Sequence, residues 1–255
     1  MLPSFRVLFL VLTLFLVSGE ASPKPHATPA PVSSATPVIV IGFVGGFVRH
    51  DDRVHTEVQL IDKLREEYSS GLYGKTFENH HGKYALKTVL HLLDVNHDGT
   101  LSPEEKQNAR IIIFGHSWGA SETVELAREL GKEGIPVLLT IQVDSVSKFG
   151  ENDSVIPSNV AQAVNFYQLD GFLHGEPRIR AADPVSTHIL GNFRSDYKSK
   201  PLSCGQYPWW DRAFMKPHIQ IECDPAVWNQ VESLIRSNLP LEAKTSPENV
   251  TSTAR

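Results

Sequence analysis

The chain has 255 residues, and 41% of them are hydrophobic, which suits one globular domain with a sizeable core. Its 24 basic and 29 acidic residues give a formal net charge of −5. This mild acidity argues against nucleic acid or an anionic membrane surface as a binding partner.

Residues 1–21 have the composition of a secretory signal peptide. A single basic residue, Arg6, precedes an apolar run from Val7 to Val17, and small residues follow at Gly19 and Ala21. The run is shorter than the roughly 20 apolar residues of a membrane-spanning helix, although an uncleaved anchor is the alternative. We therefore expect a secreted or periplasmic protein with no stable membrane span after signal cleavage.

The rest of the chain divides by composition. Residues 22–37 are rich in Pro, Ala and Ser and predict a disordered linker, and residues 241–255 predict a polar tail. Residues 38–240 contain the alternating apolar segments of a folded domain.

Within residues 38–240, buried strands alternate with amphipathic helices. Strands are predicted at Val38–Phe43, Arg110–Phe114, Val137–Val143, Ala163–Leu169 and His218–Ile221. Helices are predicted at Val54–Tyr68, Leu86–Leu93 and Ser121–Leu130, and after Asp224, where Pro225 occupies the first turn. This order predicts an α/β fold with a mostly parallel sheet flanked by helices on both faces.

Residues 94–105 resemble an EF-hand calcium loop at every ligand position. The ligands would come from the side chains of Asp94, Asn96, Asp98 and Glu105 and the carbonyl of Thr100, with Gly99 at the sharp turn. Ser102 and Glu105 also form a capping box for the following helix, which explains two residues of the pattern without a metal. We expect structural calcium here, and no organic cofactor.

The segment RIIIFGHSWGAS, residues 110–121, joins a buried strand to a helix. Its Gly115, Ser117 and Gly119 form a Gly-x-Ser-x-Gly pattern, in which small residues on both sides of the serine permit a tight turn. Such a turn strains the serine backbone, raises the hydroxyl above the sheet and points the helix N-terminus at a developing oxyanion. Ser117 is therefore the candidate nucleophile.

This strand–turn–helix pattern resembles the nucleophile elbow of the α/β-hydrolases, and of their lipase and esterase members in particular. The resemblance covers roughly residues 38–237. It implies the α/β-hydrolase fold and a Ser-His-Asp triad that cleaves an ester, thioester or amide through an acyl-enzyme.

The resemblance also implies where the partners of the serine lie, in the chain order Ser, acid, His. His218 precedes the final helix and is the candidate base, with His188 and His174 as alternatives. Asp144 directly follows a predicted strand, the position of the acid in lipases of the pancreatic type. Most α/β-hydrolases carry the acid after the next strand, where Asp170 precedes a glycine in what reads as a turn.

Two backbone N–H groups are candidates for an oxyanion hole. Trp118 follows the nucleophile and should supply one donor. Gly42 and Phe43 resemble the His-Gly-Phe turn of lipases, which makes Phe43 the second candidate. An isoleucine replaces the histidine of that turn, so the neighbouring Val44 and Gly45 stay open as donors.

Two further features concern the C-terminal third of the chain. Cys204 and Cys223 are the two cysteines of the sequence and predict one disulfide in an exported protein, with two free thiols as the alternative. Residues 206–214, QYPWWDRAF, predict either an apolar substrate pocket or core packing.

These patterns together predict a secreted serine hydrolase, esterase- or lipase-like, that acts on a small-molecule or lipid-like acyl substrate. A serine peptidase on the same fold and a non-catalytic, calcium-dependent binding protein are the alternatives. The sequence leaves the substrate and the oligomeric state open.

Overall fold

A computed structural model describes residues 37–68 and 70–239 of the chain. The predicted signal peptide, the polar tail and all but the last residue of the predicted linker lie outside these ranges. In the part of the chain that is described, no helix has both the length and the apolar character needed to cross a membrane.

Six strands form one sheet in which every neighbouring pair is parallel. Side by side, the strands are β2 (Leu72–Glu78), β1 (Val38–Val44), β3 (Ile111–His116), β4 (Val137–Val143), β6 (Val160–Gln168) and β8 (His188–Ser195). Two short strands, β5 (Val155–Ile156) and β7 (Arg180–Ala181), pair separately. Because all six strands of the main sheet run the same way, their carboxyl ends meet at one edge.

The described residues contain seven helices. They are α1 (Thr56–Glu67), α2 (Gly82–Leu93), α3 (Pro103–Gln107), α4 (Trp118–Lys132), α5 (Trp209–Phe214), α6 (Lys216–Glu222) and α7 (Pro225–Ser237). Asp224 caps α7 by accepting a hydrogen bond from the backbone of Ala226, and Pro225 stands at the first helical position, as the sequence predicts.

Alternate residues of the central strands face opposite layers of the molecule. Ile39 and Ile41 pack in one core with side chains of α2 and α4. Val38 and Val40 pack in the other core with side chains of α1 and α7. The prediction of an α/β-hydrolase fold, with a parallel sheet between two helical layers, is confirmed.

The main sheet differs from the prediction in three segments. The strand predicted at His218–Ile221 is wrong, because these residues lie in helix α6, where Pro217 takes an N-terminal position that tolerates its missing N–H. Strands β2 and β8 are not predicted from the sequence. Both lie at the edges of the sheet, where each pairs with a single neighbour and much of the strand is polar or partly exposed.

Candidate active site

Ser117 lies in a strained turn between β3 and α4. Its φ of 58° and ψ of −126° are unfavourable for a residue with a side chain. A Cβ atom at Gly115 would lie 2.5 Å from the backbone carbonyl of Gly119, and one at Gly119 would collide with the carbonyl oxygen of Phe43. The two glycines of the pattern are therefore required by the closeness of strand and helix.

Hydrogen bonds tie this turn to the neighbouring strand. The backbone N–H of Ser117 donates to the Val143 carbonyl at 3.0 Å, and the Ser117 carbonyl accepts from Val146 at 3.2 Å. The end of β3 is thus held against the end of β4, and Asp144 is the next residue after β4. The serine and the candidate acid lie on adjacent strand ends at the same edge of the sheet.

Asp144 and His218 form a buried pair. Asp144 Oδ2 lies 2.7 Å from His218 Nδ1, and both side chains have almost no exposed surface. Gln168 Nε2 also donates to Asp144 Oδ2, at 2.8 Å. Oδ1 accepts from the backbone N–H groups of Gly175, at 2.7 Å, and of Gln168, at 3.2 Å.

These contacts set the charge of the pair. Burial alone would raise the pKa of Asp144, but hydrogen bonds from His218 and Gln168 outweigh it and lower the pKa below its usual value. An ionised carboxylate only accepts hydrogen bonds, so His218 Nδ1 carries the proton. In the neutral imidazole this tautomer has its lone pair on Nε2, the nitrogen that a general base uses.

The alternative partners lie elsewhere. Asp170 accepts hydrogen bonds from the backbone of Tyr197 at 2.6 Å and of Lys198 at 3.3 Å, so it organises the segment after β8. His188 is exposed at the start of β8, and His174 Nδ1 contacts the neighbouring carbonyl at 3.2 Å. Of the acids and histidines that the sequence offers, the structure brings Asp144 and His218 together.

The Ser117 hydroxyl has no hydrogen-bond partner among the described residues. His218 nevertheless lies beside the turn, because its ring packs on that of His116 with centroids 4.4 Å apart. Catalytic hydrogen bonds are often long before substrate binds and shorten in the complex.

The expected oxyanion donors differ in their surroundings. Trp118 is the first residue of α4, where backbone N–H groups have no acceptor within the helix. Phe43 lies inside β1, paired with β2 on one side and β3 on the other. A Cβ atom at Gly45 would lie 2.8 Å from the Ser117 Cβ, so Gly45 is the residue after β1 that faces the serine.

A second group of buried polar side chains includes His116, whose ring packs on that of His218. His116 Nδ1 lies 3.3 Å from Glu222 Oε2, and His55 Nδ1 lies 2.5 Å from Glu222 Oε1. Glu57 is also fully buried and belongs to the same cluster.

The pKa values in this cluster diverge. Burial lowers the pKa of His116 to about 4. Burial would also lower that of His55, but the hydrogen bond and charge of Glu222 raise it to about 9. Burial and the charge of Glu222 raise the pKa of Glu57. The pKa of Glu222 falls despite burial, because His116 and His55 favour its ionised form.

Glu78 forms a separate cluster at the end of β2. Its carboxylate lies 2.7 Å from His50 Nδ1 and 2.6 Å from His81 Nδ1, and it accepts the His50 backbone N–H at 3.1 Å. Burial would raise the pKa of Glu78, but these hydrogen bonds outweigh it and lower the pKa to about 2.

The acidic side chains of residues 94–105 border one compact loop. Asp94 accepts hydrogen bonds from the backbone of Asp98 at 3.2 Å and of Gly99 at 3.0 Å. Glu105 Oε1 accepts a hydrogen bond from the Val95 backbone at 2.9 Å, so Glu105 lies close to the start of the loop. The other carboxylate oxygen of Glu105 completes the capping box of α3. This set of oxygen donors fits a hard cation such as calcium.

Apolar side chains are exposed around the carboxyl edge of the sheet. Phe47, Phe149 and Phe172, which follow β1, β4 and β6, are almost fully exposed. A cavity of about 610 Å³ is lined in part by Gly46, Phe47 and Trp118, the residue that follows Ser117. The ring of Phe47 packs edge-on against Trp118 with centroids 5.7 Å apart.

The C-terminal aromatic segment divides between the two predicted uses. Tyr207 is buried, whereas Trp209, Trp210 and Phe214 are exposed on α5. Cys204 and Cys223 form the predicted disulfide, with Cα atoms 5.9 Å apart.

No protein-family model matches the chain, and no curated protein matches it. Solved structures that resemble it include the RedJ thioesterase of the prodiginine biosynthetic pathway in Streptomyces coelicolor, at 10% identity and a TM-score of 0.40, over 85% of this chain and 97% of that one.

Two other similar structures are an esterase and a cutinase-like protein. A thermostable esterase from Pseudomonas putida has 12% identity and a TM-score of 0.42, over 84% of this chain and 78% of its own. A cutinase-like protein from Cryptococcus has 11% identity and a TM-score of 0.41, over 81% and 97%. The fold assignment above rests on the sheet and the serine turn.

Several residues at the site were not predicted from the sequence. Gln168 holds Asp144, and His116, Glu222, His55 and Glu57 lie behind His218. Two of them carry a signal in hindsight, since His116 directly precedes Ser117 and Glu57 interrupts the apolar face of α1 with a charge. The others come together only through tertiary folding.

Proposed function

We propose that this chain is a serine hydrolase that cleaves ester or related acyl bonds through an acyl-enzyme. The observation that carries the proposal is the strained turn of Ser117 on the strand end next to a buried, hydrogen-bonded Asp144–His218 pair. Strain, burial of a charged pair and a small-residue turn are each costly, and a nucleophile–base–acid arrangement explains all three.

In the proposed reaction, His218 Nε2 takes the proton of the Ser117 hydroxyl as the oxygen attacks the substrate carbonyl. Asp144 keeps the Nδ1 proton in place and stabilises the imidazolium that forms. The imidazolium gives its proton to the leaving alcohol as the tetrahedral intermediate collapses to an acyl-enzyme. Water, deprotonated by the same histidine, then releases the acid and restores the serine.

The negative charge of the intermediate needs backbone donors. The Trp118 N–H, at the start of α4, is one proposed donor, and the dipole of the helix adds to its effect. The sequence also favours Phe43, whose place between two paired strands leaves its N–H less free than those beyond β1. We therefore propose the second donor from Gly45, which faces Ser117.

An apolar acyl group is the proposed substrate portion. The support is the cavity of about 610 Å³ that Trp118, the residue after Ser117, lines together with the exposed Phe47 and Phe149. Apolar side chains of this size are seldom left exposed together without a ligand. We therefore propose a small-molecule or lipid-like ester as the substrate.

Covalent labelling tests the proposal. A fluorophosphonate should modify Ser117, as located by mass spectrometry, and Ser117→Ala should abolish both labelling and ester turnover. Ser121→Ala is the matched control, because Ser121 lies one turn along α4 and donates its hydroxyl to Glu151. Labelling that persists in Ser117→Ala would exclude Ser117 as the nucleophile.

A panel of ester, thioester and peptide substrates separates the remaining alternatives. Turnover of short and medium acyl esters is expected. Cleavage of peptides alone would make the protein a serine peptidase, and no turnover with no labelling would leave a calcium-dependent binding protein.

Calcium is the proposed cofactor of residues 94–105. The support is the arrangement of Asp94 and Glu105 over one loop, with Asp98 beside them. The loop ends before β3, so we expect calcium to stabilise the segment that leads to Ser117 without contacting the substrate.

We propose that the chain is exported from the cytoplasm. The Cys204–Cys223 disulfide supports this, because disulfides persist in oxidising compartments. Detection of the mature protein outside the cytoplasm, starting near residue 22, is the test.

A further inference from the structure

Three side chains that could bind a metal ion come together next to His116, whose ring packs on His218. One nitrogen or oxygen atom from each of His55, Glu57 and Glu222 lies within 4.8 Å of the other two. They come from three places, the residue before α1, the first turn of α1 and the last residue of α6. Glu57 and Glu222 are at most 1% exposed, so they form a closed site in the interior.

His55 and Glu222 contact each other in this site, but other polar atoms there find no donor or acceptor. Among the described residues, neither carboxylate oxygen of Glu57 has a hydrogen-bond partner, and the hydroxyl of Tyr207 has none either. Tyr207 packs edge-on against the His55 ring, with centroids 5.4 Å apart. A buried carboxylate without a partner is strongly unfavourable, so something must neutralise the second acid of this pair.

We propose that His55, Glu57 and Glu222 bind one divalent transition-metal ion of the zinc class. One imidazole nitrogen and two carboxylate oxygens form a donor set that suits zinc, whereas calcium prefers oxygen atoms alone. Binding of the ion displaces the proton that His55 shares with Glu222 and the proton that a neutral Glu57 carries, and both protons leave to solvent.

An entry path for the ion adjoins the site. His55 is partly exposed, at 12% of its side chain. A surface cavity of about 270 Å³ is lined by Thr56 and Cys223, which are the sequence neighbours of the proposed ligands. Residues next in sequence to all three proposed ligands therefore border this cavity.

The ion would hold the candidate base in place. Glu222 ends the helix that carries His218, while His55 and Glu57 belong to the start of α1. Glu222 also contacts His116, whose ring packs on His218. A metal at this point joins α1, α6 and the serine turn, and it does so without touching the substrate.

Metal content tests the proposal independently of activity. The tag-free mature chain, carrying Asp94→Ala and Glu105→Ala to disable the calcium-like loop, is incubated with zinc, separated from free ion and analysed by mass spectrometry of the metal. We expect close to one zinc per chain and a higher melting temperature with zinc than after chelation. No retained zinc and no change in melting would overturn the proposal.

A pair of variants on α1 locates the ion. Glu57→Gln keeps the shape of the side chain but removes a charged ligand, and it should weaken zinc binding by at least about 100-fold. Glu67→Gln is the control, because Glu67 pairs with Arg236 at the other end of the same helix. Unchanged zinc binding in Glu57→Gln would mean that the ion binds elsewhere.

A spectroscopic measurement covers the case in which Glu57→Gln does not fold. Cobalt added to the same loop-disabled chain should give the visible absorption of a low-coordinate site with nitrogen and oxygen ligands, and zinc should abolish it. A spectrum equal to that of aqueous cobalt would show that a proton, and not a metal, neutralises Glu57.

Discussion

Replacing Asp144 by asparagine tests the orientation of the candidate base. Both carboxylate oxygens accept hydrogen bonds, so the amide NH₂ of Asp144→Asn must face a donor in either orientation. At the Oδ1 position it would meet the backbone N–H groups of Gly175 and Gln168, which are donors only and cannot accept a hydrogen bond. At the Oδ2 position it would meet Gln168 Nε2, which is also a donor, and His218 Nδ1, which can give up its proton.

The lower-energy arrangement therefore changes the histidine. His218 would carry its proton on Nε2, the nitrogen that has to accept the proton of Ser117. We expect kcat to fall by about three to four orders of magnitude, as this tautomer change implies. That loss equals about 4 to 5.5 kcal/mol of transition-state stabilisation, at 1.36 kcal/mol per tenfold. Each buried N–H left unpaired should also lower the free energy of unfolding by about 1–3 kcal/mol.

The assay is kcat for a chromogenic short-chain ester, measured with a melting curve for each variant. Asp170→Asn is the control, because Asp170 is also a buried acid after a strand but binds the backbone of Tyr197 and Lys198. It should lose stability and keep its rate within about tenfold. If Asp170→Asn loses the rate and Asp144→Asn keeps it, the acid is misassigned and the reasoning fails.

Three other predictions concern stability. Replacing Cys204 and Cys223 by serine should lower the free energy of unfolding by about 3 kcal/mol, measured in urea, and an unchanged value would contradict a stabilising disulfide. Glu78→Gln should flatten the pH dependence of stability between about pH 4.5 and 2, because the lowered pKa of Glu78 stabilises the fold above pH 4.5 and this is lost as pH falls through 2; an unchanged slope contradicts it. Calcium at ten times its dissociation constant should add about 1.4 kcal/mol over chelator. Asp94→Ala with Glu105→Ala should remove that gain, and a wild type that melts identically in both conditions has no site.

The sequence predicts the centre of the sheet better than its edges. Strands β1, β3 and β4 are continuous apolar runs because both faces of each strand are buried, and the prediction of Val137–Val143 coincides with the observed strand. The serine turn is partly local, since the requirement for Gly115 arises from Gly119 four residues on, whereas the requirement for Gly119 comes from Phe43 in β1. Edge strands such as β8 lack a continuous apolar run, because one side of the strand meets solvent or a loop.

The helix that carries His218 shows a different limit. Ile219 and Ile221 alternate with polar residues, which is the pattern of a half-buried strand, yet His218 and Gln220 are buried as well. All four side chains find partners only in the folded molecule, among them Asp144 and the Leu202 carbonyl. No pattern within residues 216–222 contains that information. The position of His218 before the final helix is sufficient to make it the candidate base, although the strand predicted around it is wrong.

The backbone at Ser117 permits a last test, of the strain itself. Ser117 and Asp144 both have positive φ, at 58° and 44°, and each is anchored by its N–H to the next strand, through Val143 and Phe166. Such strain costs about 1–3 kcal/mol and persists only when the surroundings enforce it. Glycine relieves it, but the added freedom of the unfolded chain returns about 0.4–1 kcal/mol. We therefore expect Ser117→Gly to be more stable than Ser117→Ala by about 1 kcal/mol, measured as a higher urea midpoint at equal slope, with both variants inactive. An alanine variant as stable as the glycine variant would mean that the turn stores no strain.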